Sequence, residues 1–191
     1  MRYEVFPLVA EHGQFNIPDE VLAGIWNTMV AEGKAQKVFY NGYVTSVYDF
    51  INFLKTGGVI AILIGDNETN SFCHIAWISD YGEGHACLHH CSLGKFKRGA
   101  AKAILAYYGQ FKNSTGEPTF ESMIGITPEN NEAAVRVARL MGFKMLSPTI
   151  PMLCNDVYAG QKVGGVISYY QYERGDTSWA AAEKAEANQA A

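Results

Sequence analysis

Three apolar runs joined by turn signals, then a basic turn containing glycine and a helix, constrain this chain more than any other feature. Residues 59–65 (VIAILIG) form a short, unbroken apolar run, the pattern of a strand covered on both faces. Asp66-Asn67-Glu68 supplies a hairpin turn into a second run at 71–78, and Tyr81-Gly82-Glu83-Gly84 turns the chain into a third at 85–93. The third run gives way to Lys95-Phe96-Lys97-Arg98-Gly99-Ala100-Ala101 and a helical segment over 100–111. Hairpins impose antiparallel pairing, whereas a strand that leaves into a helix can return only as a parallel neighbour or at a distance.

The flanking segments extend this pattern. Pro18, with Asp19 and Glu20 behind it, opens a helix whose stripe is Val21, Leu22, Ile25, Trp26, Met29 and Val30, ending near Gly33. A second helix is predicted over 46–55, stopped by Gly57-Gly58. After a loop at 113–118, a strand is expected over 119–126, a helix over 131–141 and closing strands over 143–154 and 163–172. The sum is an α/β chain with a mixed sheet and helices on both faces. A single domain over 1–175 is expected, with an alanine-rich tail at 176–191 that buries little and reads as frayed helix or disorder.

Length and charge narrow the function. At 191 residues and 48% apolar, the chain can bury a substantial core. A net charge of −4 argues against nucleic acid as a partner, since that affinity comes from lysine and arginine neutralising phosphates. The first residues carry no basic segment followed by a long apolar run, and the run at 59–64 is too short to span a bilayer, so neither secretion nor a membrane is expected. Cys73, Cys87, Cys91 and Cys154 have neither the density of a disulfide framework nor a Cys-x-x-Cys pair, which reads as reduced thiols in the cytoplasm.

Two segments carry chemistry. At the basic turn, Gly99 lets the backbone approach an anion closely, and the N–H groups of the following helix point at it. Ala100, Ala101 and Ala103 keep that end slim, and Lys95, Lys97, Arg98 and Lys102 add positive charge. A side chain at position 99 is therefore expected to disturb a bound anion rather than the fold. An ordinary strand–turn–helix connection with a solvated basic face accounts for the same residues. In the second segment, 131–143 (NEAAVRVARLMGF), Asn131 is an N-cap, Ala134, Val137, Ala138 and Met141 form an inward stripe, and Gly142 stops the helix before Phe143 enters the core.

The strand at 85–91 places His85, Cys87, His89 and Cys91 on one face. Imidazole and thiolate are zinc ligands, but next-but-one residues on a strand stand about 7 Å apart. No complementary cluster is visible elsewhere, so no metal site is expected.

Taken together and in this order, the basic glycine turn and the Asn-x-x-Ala…Gly-Phe helix resemble the GNAT superfamily of acetyl-CoA-dependent N-acyltransferases. The resemblance implies a mixed, mostly antiparallel sheet that splays open to admit acetyl-CoA as co-substrate. It implies pyrophosphate on the turn at Lys97, Arg98, Gly99, Ala100 and Ala101, and pantetheine along main-chain groups of Cys91, Ser92 and Leu93. Asn131 and Ala134 would lie beside the cofactor. For the base that keeps the acceptor amine neutral, His85 occupies a position where family members carry glutamate, and His89 shares its face nearer the cofactor; Glu83 and Glu121 are weaker candidates.

Two residues depart from the family pattern. Phe96 stands at the Arg/Gln position of the phosphate turn, and Ala138 stands seven residues after Asn131, where a tyrosine often protonates the leaving thiolate. The leading expectation is an N-acetyltransferase acting on an amine of a small molecule or protein. The alternative is a catalytically silent GNAT-fold module that binds CoA or a protein partner, faintly like GNAT-like proteins of tailed phages. Both departures favour it, as would an exposed surface among Trp26, Phe39, Tyr40, Tyr43, Tyr48, Phe50 and Phe53. A homodimer is left open.

Overall fold

The computed structural model describes residues 2–172, so the tail at 176–191 lies outside the described residues. The chain begins with β1 (Tyr3–Pro7) and a small hairpin, β2 (Ala10–Glu11) and β3 (Gln14–Phe15). Three helices follow: α1 (Asp19–Ala31), α2 (Ala35–Val38) and α3 (Val47–Leu54). The centre is β4 (Ile60–Asp66), β5 (Ser71–Gly82), β6 (His85–Ser92), α4 (Arg98–Gly109), β7 (Ser122–Pro128) and α5 (Glu132–Leu140). The chain closes with β8 (Lys144–Met145), β9 (Ile150–Asp156) and β10 (Gln161–Gln171).

Eight strands form one sheet in the order β1-β4-β5-β6-β7-β10-β8, with β9 also paired to β10. Each adjacent pair is antiparallel except β6 and β7, which run parallel. The mixed, mostly antiparallel sheet expected from the sequence is present. Helices α1–α3 cover one face and α4 the other, which is why β4 and the middle of β5 are apolar on both sides.

Each face has its own core. On the first, Leu22, Ile25, Trp26 and Met29 of α1 meet Phe50 and Leu54 of α3 over Leu63, Ile75 and Trp77. Phe39 stacks on Trp77 with ring centroids 5.4 Å apart and planes 6° from parallel. On the second face, Ala100, Ile104, Leu105 and Tyr108 of α4 pack on Ile62, Ile64, Ala76 and Ile78. The hydroxyl of the fully buried Tyr108 donates to Ile60 O at 2.9 Å, so the ring enters the core with its polar end satisfied.

Local sequence explains the helix ends. Pro18 precedes α1, whose first turn carries Asp19 and Glu20. Ser46 and Asp49 form a reciprocal capping box on α3: Asp49 N–H donates to Ser46 Oγ at 3.1 Å, and Ser46 N–H donates to Asp49 Oδ2 at 3.0 Å. Asn131 caps α5 as expected, and Gly142 beyond its end has φ +97°.

One strand without a sequence signal is present, and one expectation is corrected. The segment before the first helix is that strand, β1, held on the sheet edge by β4. The span 143–154 is not one strand; residues 146–149 separate β8 from β9. The N-terminal aromatics divide cleanly: Trp26, Phe39 and Phe50 are core, and only Tyr43 and Tyr48 of that group are largely exposed, at 84% and 73%.

This division is measurable by urea denaturation. Phe50→Ala is expected to cost about 3–5 kcal/mol, as large-to-small changes at fully buried aromatics do. Tyr43→Ala should stay within about 0.5 kcal/mol of the parent.

Candidate functional site

The one parallel contact in the sheet is very short. Strand β6 pairs with β7 only at His85↔Ser122, Ala86↔Met123 and Cys87↔Ile124. Beyond Cys87, β6 follows β5 while β7 follows β10 along its whole length. The sheet therefore behaves as two antiparallel halves sharing one short seam, and strand twist carries the free ends apart. Between them lies a cleft of about 290 Å³.

One wall of the cleft is main chain. Leu93 N–H donates to Cys73 O at 2.8 Å, which makes Leu93 and Cys73 a hydrogen-bonded pair. By antiparallel alternation, Cys91, His89 and Cys87 also turn their backbone groups to β5, so Leu88, His90 and Ser92 direct theirs toward β7 and the cleft. Of the three residues expected to offer main-chain groups here, Ser92 turns its backbone groups to the cleft, whereas Cys91, which also lines the cleft, and Leu93 turn theirs to β5. His90 and Leu88 take their place. The register that decides this is a tertiary property, and no residue type announces it.

The opposite wall is α5. Its apolar stripe Ala134, Val137, Ala138 and Met141 is expected to be buried, yet no residue of this helix is fully buried. The stripe lines the cleft instead, beside Phe143 and Gly125. Asn131 is at the cleft rim, its Oδ1 accepting from Ala134 N–H at 3.3 Å.

A clamp from the α1–α2 junction holds the end of β6. Lys34 Nζ donates to Ser92 O and Gly94 O, each at 2.7 Å, and pairs with Glu32 at 2.7 Å. Glu32 Oε2 in turn accepts Gly94 N–H at 3.1 Å. The sequence reading missed both residues; an ion pair two residues apart after a helix end carries no distinctive motif.

At the basic turn, α4 starts at Arg98 after Lys97, and no side chain caps it, leaving the N–H groups of Arg98, Gly99 and Ala100 without intrahelical partners. Lys95, Arg98 and Lys102 are exposed. Lys97 is not free: its ammonium bonds the buried Asp66, which also accepts from Arg2 at 3.2 Å. The Lys97 hydrogen bond, reinforced by Arg2, lowers the Asp66 pKa to about 2. Ala100 and Ala101 face the core rather than trimming the outside of the turn, so only their main chain can serve an anion. Gly99 is also corrected: a Cβ there would overlap the ring of Tyr3 on β1. Packing demands the glycine before any ligand does.

The two candidate bases separate. His85 sits at the seam, opposite Ser122, and is not among the residues lining the cleft. His89 lines it, stacked on Trp77 at 5.4 Å. Ser79 Oγ donates to Asp80 Oδ2 at 3.0 Å, so at 3.1 Å it accepts from His89 Nε2–H. That leaves Nδ1 of His89 as the acceptor. Burial lowers the His89 pKa, with Asp80 opposing, which keeps the ring neutral near pH 7. Burial pushes the Cys91 thiol up to about 12, so it is no nucleophile. Among the described residues, no three His, Cys, Asp or Glu side chains converge as a metal site would need.

A second pocket, of about 440 Å³, adjoins the cleft. It is lined by Gln36, Lys37, Tyr40, Asn130, Asp156 and Tyr158 among others, and shares Lys37, Tyr40 and Asn131 with the cleft. Among the described residues, no helix is long and apolar enough to cross a membrane.

No protein-family profile and no curated protein sequence matches the chain. Its structure, however, is similar to many solved acetyltransferases. A GNAT-family acetyltransferase from Bacillus anthracis superposes with a TM-score of 0.64 at 15% identity, over 90% of this chain and 95% of that one. The ribosomal L7/L12 α-N-protein acetyltransferase RimL, solved with coenzyme A, gives 0.64 at 11% identity, over 89% and 94%. yncA of Salmonella typhimurium, solved with acetyl-CoA, gives 0.57 at 10%, over 88% and 94%. The fold is that of the GNAT acetyltransferases.

Two outcomes follow from the site's packing. Gly99→Leu should lower the melting temperature of the ligand-free protein, because Tyr3 has to move. Acid should also destabilise the fold through buried histidines. Burial depresses His90 to about 4 and His74 to about 3, with Lys34 near both and Lys97 near His74 opposing protonation further. In the unfolded chain both titrate near about 6.5 and bind protons the folded state refuses. Their stabilisation is complete above that value and declines as pH falls toward about 4. The urea midpoint should therefore drop between pH 7.5 and 5, and the double variant His74→Leu, His90→Leu should show a smaller drop.

Proposed function

We propose that the chain is an acetyl-CoA-dependent N-acetyltransferase. The observation that carries this is the cleft at the β6–β7 seam: an apolar helix face on one side, outward main-chain donors and acceptors on the other. Such a slot suits a slender amide-bearing arm that needs hydrogen bonds along one edge and apolar contact along the other. Leu88, His90 and Ser92 provide the edge, and Ala134 and Ala138 leave the width. The arm's anionic end would meet the unpaired N–H groups of Arg98, Gly99 and Ala100, with exposed Lys95, Arg98 and Lys102 adding charge. Bound there, acetyl-CoA supplies a thioester carbonyl for direct attack by an amine.

His89 is the base this reading favours over His85. It lines the cleft, is neutral near pH 7, and keeps Nδ1 as a proton acceptor because Ser79 and Asp80 fix its other nitrogen. The amine acceptor enters through the adjoining pocket, which Asp156, Tyr158, Lys37 and Tyr40 line. Ala138 offers no proton to a departing thiolate, which takes one from another group or from solvent.

Acetyl-CoA at about 100 times its dissociation constant should stabilise the protein by about 2.7 kcal/mol, with ADP as a control. On a panel of amines, His89→Ala should lower turnover by about 100-fold or more, and His85→Ala should change it little. The limb that depends on His89 should titrate below the ordinary histidine value. Robust turnover by His89→Ala would remove His89 from the base role. Acetyl-CoA binding with no turnover on any amine would assign the chain to the silent-module class instead.

A further inference from the structure

Two histidine side chains outside this chemistry, His74 buried and His90 half-buried, connect the ends of the proposed donor site. His74 on β5 has no exposed surface, and His90 on β6 lies diagonally beside it on the α4 face. His74 Nδ1 and His90 Nε2 are 2.7 Å apart, and the rings stack with centroids 4.8 Å apart. His74 Nε2 accepts the backbone N–H of Lys97 at 3.3 Å. That donor settles the tautomers: with Nε2 accepting, His74 carries its proton on Nδ1 and donates it to His90 Nε2. Phe96 closes the group, its ring edge-on to both imidazoles at 5.8 and 6.1 Å.

We propose that His74 is a positioning residue that ties the phosphate turn to the cleft strand, an inference that rests on the acetyl-CoA assignment. One of its nitrogens fixes the N-cap residue of α4, and hence the direction of the three unpaired N–H groups behind it. The other fixes His90, whose own main chain faces the cleft. A nucleoside diphosphate end and a pantetheine arm belong to one molecule, so the spacing between their two sites has to be held. The tie also gives Phe96 a role at the position where the resembled family carries Arg or Gln. Instead of reaching a phosphate, this side chain wedges the histidine pair that holds the turn.

Both ring nitrogens of His74 have partners. Among the described residues, no buried side-chain nitrogen or oxygen lacks a partner. Replacing His74 with leucine would keep the bulk and orphan both the Lys97 N–H and His90 Nε2. Replacing it with glutamine would retain one acceptor and one donor on the same side chain.

The test uses coenzyme A as probe, with amide hydrogen exchange on the ligand-free protein as an independent readout. His74→Leu is expected to speed exchange at Lys97 by about tenfold or more, with Ile104 and Leu105 inside α4 unchanged, and to weaken coenzyme A binding by about tenfold. His74→Gln should return both to within about threefold of the parent. If His74→Leu fails to fold, His90→Leu poses the same question from the other ring. Unchanged Lys97 exchange, or parental coenzyme A affinity, in the leucine variant overturns the tie. A glutamine variant as impaired as the leucine one overturns the hydrogen-bonding account. If the parent shows fast Lys97 exchange, the tie fails by itself. If it shows slow exchange but does not bind coenzyme A, the donor assignment fails and takes the positioning role with it.

Discussion

Three residue pairs of parallel ladder between β6 and β7 hold the whole arrangement together. Each strand is committed along its length to an antiparallel neighbour on its other side, so the two halves of the sheet are stable in themselves and meet only at His85–Cys87. A longer seam would close the cleft and bury the α5 stripe against strand β6. A shorter one would leave the halves joined only through helices and loops. The opening is what remains when antiparallel pairing outcompetes parallel pairing on both sides of one junction.

An open junction needs support, and the structure supplies it from outside the sheet. Lys34 and Glu32 hold the last carbonyls and the turn of β6 from the α1–α2 side. Asp66 gathers Arg2 and Lys97 at the far end of β4. His74 reaches from β5 to the N-cap residue of α4. Each contact joins segments tens of residues apart in sequence, and each ends on main chain or on a charged group. The apolar cores make the two faces firm; these polar contacts decide where the free end of β6 points.

The apolar runs at 59–65 and 71–78 and the pattern of 131–143 were enough to read the mixed sheet and its helices, because burial on both faces and helical amphipathicity leave direct marks on residue type. The β1 strand was not legible: five residues with a proline at the end look like any lead-in until β4 offers an edge. The site was legible only in part. The position of Asn131 and the location of the basic turn follow from local signals. Which of Cys91, Ser92 and Leu93 turns outward depends on a hydrogen-bond register between distant strands. Lys97 looked like a free phosphate ligand because its partner, Asp66, is thirty-one positions away. His74 and His90 looked like ordinary members of apolar strands, since nothing in either run says that the two rings meet.

The contact between Tyr3 and Gly99 makes two remote positions interdependent. The ring fills the volume a side chain would take at the start of α4, so a side chain at position 99 requires Tyr3 to move. A small residue at position 3 would relax the demand at position 99, and the glycine at 99 makes the aromatic tolerable. The first strand is thereby part of what shapes the turn it covers. Glycine at this point records a packing partner, and a sequence comparison that treated it only as a ligand signature would misjudge which substitutions the turn can accept.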